Sequence, residues 1–201
     1  MQLNVPNLLT WLRIVMIPVV IGVFYLPDAW LTGWQRNLIA TAVFIVAAIT
    51  DWLDGYLARK LNQTSAFGAF LDPVADKLMI AAALIVLVEL DRANAIIAFV
   101  IIGREIAISA MREWMAKIGQ SRSVAVNLLG KVKTISQMIA VPMLLYHEPI
   151  GPIDVQRIGT WLIYLAAILT LVSMVNYLQR AMAPRLPGDR RRSIDRRGAG
   201  P

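Results

Sequence analysis

The chain of 201 residues has no cysteine and one histidine. The first absence excludes a disulfide framework, a thiolate metal site and a cysteine nucleophile. The second leaves His147 alone, so neither a histidine metal cage nor a histidine-based catalytic triad can be assembled. Charge is scarce too: 16% of residues are Asp, Glu, Lys or Arg, where a soluble domain carries roughly 25%. Any metal must therefore be held by oxygen, which favours Mg²⁺, Mn²⁺ or Ca²⁺. A cleavable leader is not expected, because Arg13 lies inside the first apolar stretch and no small-residue cleavage site follows it. The N-terminal segment reads as a retained anchor.

What is present is apolar surface. Hydrophobic residues make up 58% of the chain and mean hydropathy is +0.60, the profile of a polytopic membrane protein. The length suits one domain. Six apolar segments stand out, at residues 8–26, 37–50, 78–88, 93–103, 135–146 and 158–179. Crossing about 30 Å of hydrocarbon takes about 20 helical residues, and only the last segment reaches that without a charge. The middle four become long enough if each helix continues into its charged neighbour, at 51–60, 68–77, 104–117 and 124–133.

The distribution of Lys and Arg sets the orientation. With the N-terminus inside, the external segments hold only Arg36, Arg92 and Arg157 of the 20 basic residues. Both termini are then cytoplasmic, and all four charged extensions fall on the cytoplasmic side. Charged side chains at membrane depth face a bundle interior or a wet cavity. The expectation is an all-α integral membrane protein, with six transmembrane helices around a polar cavity open to the cytoplasm. Residues 1–182 form the membrane domain. Residues 183–201 form a basic tail, with Arg190–Arg192 and Arg196–Arg197, expected to be disordered and to act as a solvated topogenic segment or touch anionic lipid. The net charge of +7 fits membrane topology, and no nucleic-acid partner is expected.

Four aspartates carry the chemistry. Asp51 and Asp54 are three apart and Asp72 and Asp76 four apart, so each pair shares one helical face. The pairs sit at the facing cytoplasmic ends of consecutive antiparallel helices. Four carboxylates at the membrane border repel one another and call for divalent cations. Two such ions about 3.5–4 Å apart suit phosphoryl transfer. Gly55 and Gly68 clear space for a diphosphate near the backbone, and Arg59 offers a planar fork of donors. Capping and pairing with Arg59, Lys60 and Lys77 accounts for one such aspartate, but the nearby cations are too few for all four.

The stretch reads D-W-L-D-G-Y-L-A-R from Asp51, then eight residues, then G-A-F-L-D-P-V-A-D ending at Asp76. It resembles the signature of the CDP-alcohol phosphatidyltransferase family, D-x2-D-G-x2-A-R-x8-G-x3-D-x3-D, with every fixed position present. Beyond it the chain is similar to bacterial members that use glycerol 3-phosphate as acceptor, from Pro6-Asn7-Leu8-Leu9-Thr10 to about Arg180. That similarity includes G-R-E-I at 103–106, S-A-M-R-E-W at 109–114, S-V-A-V at 123–126 and G-K-V-K-T at 130–134. The tail alone has no counterpart.

The resemblance implies a metal-dependent enzyme of the bacterial inner membrane that moves the phosphatidyl group of CDP-diacylglycerol to glycerol 3-phosphate. It implies Asp51, Asp54, Asp72 and Asp76 as ligands of two Mg²⁺ (or Mn²⁺) ions, with Asp76 also the general base. Asn7, Thr10, Arg13, Gly55, Arg59 and Gly68 would line the CDP pocket, although Asn7 and Thr10 also suit helix capping. A homodimer is implied by the family alone.

For the acceptor phosphate the residues offer Arg104, Arg112, Lys131 and Lys133, a basic cluster costly in a bundle unless an anion visits it. An alternative is that Glu105 and Glu113 neutralise the arginines and leave the lysines to lipid phosphates. Other readings of the chain are a family member taking inositol phosphate, an intramembrane prenyltransferase and a cation transporter. Prenyltransferases lack the Gly55, Arg59 and Gly68 pattern. A transport path would need acidic residues across the bilayer, and outside the cluster and outer loops only Glu105 is available.

Overall fold

A computed structural model describes residues 5–60, 66–117 and 128–182. The joint at 61–65, the S-V-A-V stretch at 123–126 and the basic tail lie outside the described residues. Within them the chain forms six α-helices: α1 (Val5–Gly22), α2 (Gly33–Lys60), α3 (Ala66–Glu89), α4 (Ala95–Lys117), α5 (Leu128–Tyr146) and α6 (Val155–Met182). A 3-10 turn at Val23–Tyr25 follows α1. The charged stretches at 51–60, 68–77 and 104–117 continue their helices, as the length argument requires.

Windows long and apolar enough to cross a membrane occupy Leu8–Tyr25, Gly33–Asp54 and Val155–Val175, with a shorter apolar run at Val132–Tyr146. Large apolar side chains face outward, among them Trp52 at 70%, Phe99 at 76% and Trp161 at 71% exposure. A soluble surface does not carry apolar side chains so densely; the chain is a multi-pass membrane protein. Several hydroxyls inside the helices satisfy themselves locally, as when Thr41 donates to the Asn37 carbonyl at 2.7 Å and Thr160 to that of Gln156 at 2.9 Å. In lipid no water would do so.

Each helix divides along its length. One half supplies the apolar core: Val20 of α1, Phe44 of α2, Leu84 and Leu87 of α3, Ile101 of α4, Val141 and Leu144 of α5, and Ile163 of α6. The other half supplies the buried polar groups, including Thr10, Arg13, Asp54, Lys133, Gln137 and Thr170. The bundle is thus sealed at one end and polar toward the other. The tightest helix pair is α5 with α6. Gly159 allows it, since a Cβ there would stand 3.1 Å from side-chain atoms of Met143 and Leu144.

The three connections at the sealed end are short and capped. Thr32 and Gln35 form a reciprocal capping box on α2, with Thr32 N–H donating to Gln35 Oε1 at 2.8 Å and Gln35 N–H to Thr32 Oγ1 at 3.3 Å. After α3, Asp91 takes a left-handed conformation while Arg92 N–H bonds the Leu87 carbonyl at 2.8 Å and Asp91 N–H that of Val88 at 3.1 Å. That is a Schellman closure. Asn94 and Asp154 cap α4 and α6. The Arg92 side chain donates to the Leu145 carbonyl at 2.9 Å and to Asn37 Oδ1 at 2.8 Å. It thereby ties the α3–α4 turn to α2 and to the end of α5.

Candidate active site

The polar half is organised by α1, which packs against both α2 and α3, while those two touch each other little. Asp51 and Asp54 lie one turn apart on α2. Arg13 of α1 reaches both: Nη2 donates to Asp54 Oδ2 at 2.5 Å, and Nη1 stands 2.7 Å from Asp51 Oδ1 without hydrogen-bond alignment. Arg13 is 1% exposed and the Asp54 side chain 4%, whereas that of Asp51 keeps 39%. One turn back on α1, Thr10 donates its hydroxyl to Asp72 of α3. A single face of α1 therefore reaches three of the four aspartates, Asp51, Asp54 and Asp72.

Asp76 and Asp51 line one cavity of about 140 Å³, together with Lys77, Glu105, Lys133 and Gln137. Three helices beyond α2 contribute to it, α3, α4 and α5. Lys133 donates to Glu105, and Arg104 Nη1 stands 3.4 Å from the same carboxylate oxygen while Nη2 donates to Ser173 at 3.1 Å. Of the four basic residues expected at the acceptor phosphate, Lys133 lines the cavity and Arg104 joins it through Glu105. Arg112 is exposed farther along α4. Glu113 pairs with Lys117 at 3.0 Å. Gly68 is buried at the start of α3. Asn7, Gly55, Arg59 and Lys131 fall on α1, α2 and α5, and their side-chain surroundings lie outside the described residues.

Among the described residues no three acidic or histidine side chains converge on one point. The donor chemistry still suits hard divalent cations. Asp51 and Asp76 present carboxylates to the same cavity, and every candidate ligand is oxygen. The interval between Asp51 and Asp54 is spanned by the Arg13 guanidinium, a monovalent cation already balancing part of their charge.

Sequence reasoning passed over three features of this site. The first is Arg13 as the partner of two aspartates, which lie on another helix with no local spacing to reveal the bond. The second is Glu105 as the counter-charge of Lys133, since from the sequence Glu105 read as a partner of the arginines. The third is Gln137, for which no pattern was available.

A family model described as CDP-alcohol phosphatidyltransferase matches residues 3–172. The chain is 48% identical to a protein of Salmonella choleraesuis (strain SC-B67) over 183 residues, covering 90% of this chain and 96% of that one. It is 48% identical to a protein of Escherichia coli (strain K12) over 185 residues, covering 91% and 97%. A Shigella flexneri protein matches at the same identity and coverage as the latter. All three are named CDP-diacylglycerol–glycerol-3-phosphate 3-phosphatidyltransferase.

Proposed function

The chain belongs to the CDP-alcohol phosphatidyltransferase family, and from that membership we propose that it transfers the phosphatidyl group of CDP-diacylglycerol to glycerol 3-phosphate, giving phosphatidylglycerophosphate and CMP. The observation that carries this reading is the 48% identity, over nine-tenths of the chain, to proteins named for that reaction. The cavity supports it: carboxylates of three helices, Asp51, Asp76 and Glu105, line a small polar space with the buried Lys133.

In the proposed mechanism Asp76 takes the proton of the acceptor's primary hydroxyl. The freed oxygen attacks the β-phosphorus of CDP-diacylglycerol, a new P–O bond forms, and the bond from that phosphorus to the bridging oxygen breaks in line. CMP leaves with the electron pair. Lys133, held by Glu105, binds the phosphate of glycerol 3-phosphate, with Arg104, Arg112 and Lys131 adding to the positive field. Thr10, Arg13, Asn7, Gly55, Arg59 and Gly68 line the path of the cytidine diphosphate. Asp51, Asp54, Asp72 and Asp76 would hold two divalent cations, Mg²⁺ or Mn²⁺, whose chemistry is to neutralise the diphosphate and the developing charge. Arg13 is suited to keep Asp51 and Asp54 fixed and balanced before the nucleotide arrives.

The cavity end faces the cytoplasm in this reading, with both termini on the same side, in the bacterial inner membrane. The protein works as a homodimer. Because the chain contains no cysteine, single cysteines at Asp28 and Asp154 test the orientation cleanly. An impermeant maleimide should label both from outside intact cells, and protection of both would reverse the topology. For the reaction, purified protein with CDP-diacylglycerol, Mg²⁺ and a panel of alcohols should release CMP with glycerol 3-phosphate. Turnover with inositol phosphate in its place would redirect the assignment to another acceptor.

A further inference from the structure

Gln137 has no task in the mechanism above, yet its placement calls for a ligand. It lies on α5 one turn from Lys133, at the four-residue spacing that puts both on one face. It is 4% exposed, it lines the cavity with Asp76 and Lys133, and its Oε1 is buried with no hydrogen-bond donor among the described residues. A buried acceptor without a donor is costly, and an apolar side chain of the same shape would avoid that cost. The amide is explained if a donor arrives from the cavity.

The proposed acceptor carries such a donor. Glycerol 3-phosphate has three polar parts: the phosphate, the primary hydroxyl that reacts, and a secondary hydroxyl. The phosphate falls to Lys133 and the primary hydroxyl to Asp76, which leaves the secondary hydroxyl without a partner. Of the remaining polar side chains around the cavity, Glu105 is engaged by Lys133 and Arg104, and Thr134 donates to the Gly130 carbonyl at 3.0 Å. Thr134 is exposed, so Gln137 Oε1 is the buried neutral acceptor of the cavity wall.

We propose that Gln137 is a specificity-determining residue, its amide oxygen accepting a hydrogen bond from the secondary hydroxyl of glycerol 3-phosphate. The proposal rests on the transfer reaction assigned above. A site built to bond a hydroxyl rejects the analogue that lacks it far more strongly than an apolar pocket rejects an added group. Gln137 would thus select glycerol 3-phosphate over phosphorylated alcohols of the same length and charge.

The test compares glycerol 3-phosphate with 3-hydroxypropyl phosphate, which keeps the phosphate and the primary hydroxyl but has no secondary one. Full-length enzyme in detergent is assayed by CMP release for the wild type, Gln137→Met and Gln137→Leu. The wild type should favour glycerol 3-phosphate by roughly 10- to 100-fold in kcat/KM, the size of the effect of leaving one buried acceptor unpaired. Both variants should lose most of that preference, falling on glycerol 3-phosphate while changing little on the analogue. Their thermal midpoints should stay level or rise, because an unpaired buried acceptor has been removed. Equal losses on the two substrates, a retained preference in the variants, or a lower midpoint with unchanged preference would overturn the proposal. A wild type without preference would overturn it even if neither variant folds. Failure of the wild type to release CMP with either substrate would instead contradict the transfer reaction.

Discussion

Arg13 of α1 donates to Asp54 of α2 at 2.5 Å, both side chains buried and 41 positions apart in the chain. Through Thr10, the same face of α1 holds Asp72 of α3. The first helix is thus the common support of the two aspartate pairs. From α1, Arg13 holds both aspartates of α2 and Thr10 holds one aspartate of α3.

Replacing Arg13 by Met removes the buried guanidinium that donates to Asp54. Breaking a buried pair from one side costs about 3–5 kcal/mol, so the thermal midpoint of the purified protein should fall sharply. Arg13→Met combined with Asp54→Leu should recover part of the loss, since an apolar pair of similar volume takes the place of the ion pair. Scanning fluorimetry in detergent measures both. A single variant as stable as the wild type would mean that the contact contributes nothing.

Much of this arrangement was legible before any coordinates. Apolar runs located all six helices, because a bilayer demands length and apolarity in one stretch. Spacings of three and four placed Asp51 with Asp54, and Asp72 with Asp76, on shared faces. What spacing cannot convey is which helix lies between others. The insertion of α1 between α2 and α3 decides that Arg13 meets the aspartates, and that depends on packing. Arg92 illustrates the same limit: it read as one of three basic residues on the outer side, whereas the structure uses it to tie three segments together. Lys133 read as one of four equivalent cations, and only the fold separates it, buried beside Glu105, from the exposed Arg112.

That separation has kinetic consequences. Charge-assisted hydrogen bonds contribute about 1.5–3 kcal/mol, so Lys133→Met should raise the KM for glycerol 3-phosphate by at least about tenfold. The KM for CDP-diacylglycerol should move far less. Arg112→Ala should also raise the acceptor KM, but by less than Lys133→Met because it lies outside the cavity wall. Steady-state kinetics with each substrate varied in turn decides the matter. Equal shifts in both KM values would place acceptor binding elsewhere.

At the sealed end, His147 follows α5 with a left-handed backbone, and its Nδ1 is buried without a partner among the described residues. Burial first, and then the Arg92 cation, push its imidazole below the ordinary 6.5, against opposing pulls from Glu148 and Asp154. A base depressed on folding binds fewer protons in the native state. Its stability contribution is complete above 6.5 and is lost as pH falls through the lowered value. Thermal midpoints should therefore drop on acidification below 6.5, and His147→Gln should flatten that slope. An unchanged slope would show that other groups set it.

Cation removal probes the aspartates from another side. EDTA should abolish CMP release, and Mg²⁺ or Mn²⁺ should restore it, while Asp51→Asn should raise the Mg²⁺ concentration needed for half-maximal activity. Full activity in excess EDTA would contradict oxygen-held divalent ions. Isothermal titration of Mg²⁺ into wild-type and Asp51→Asn protein supplies a reading independent of turnover.

The measurement that bears most directly on the account is made on Asp76→Asn. Radiolabelled CDP-diacylglycerol should bind this variant with an affinity close to that of the wild type, while CMP release in the presence of glycerol 3-phosphate falls by about 10²-fold or more, the contribution expected of a positioned base. Near-normal CMP release from Asp76→Asn would contradict the account.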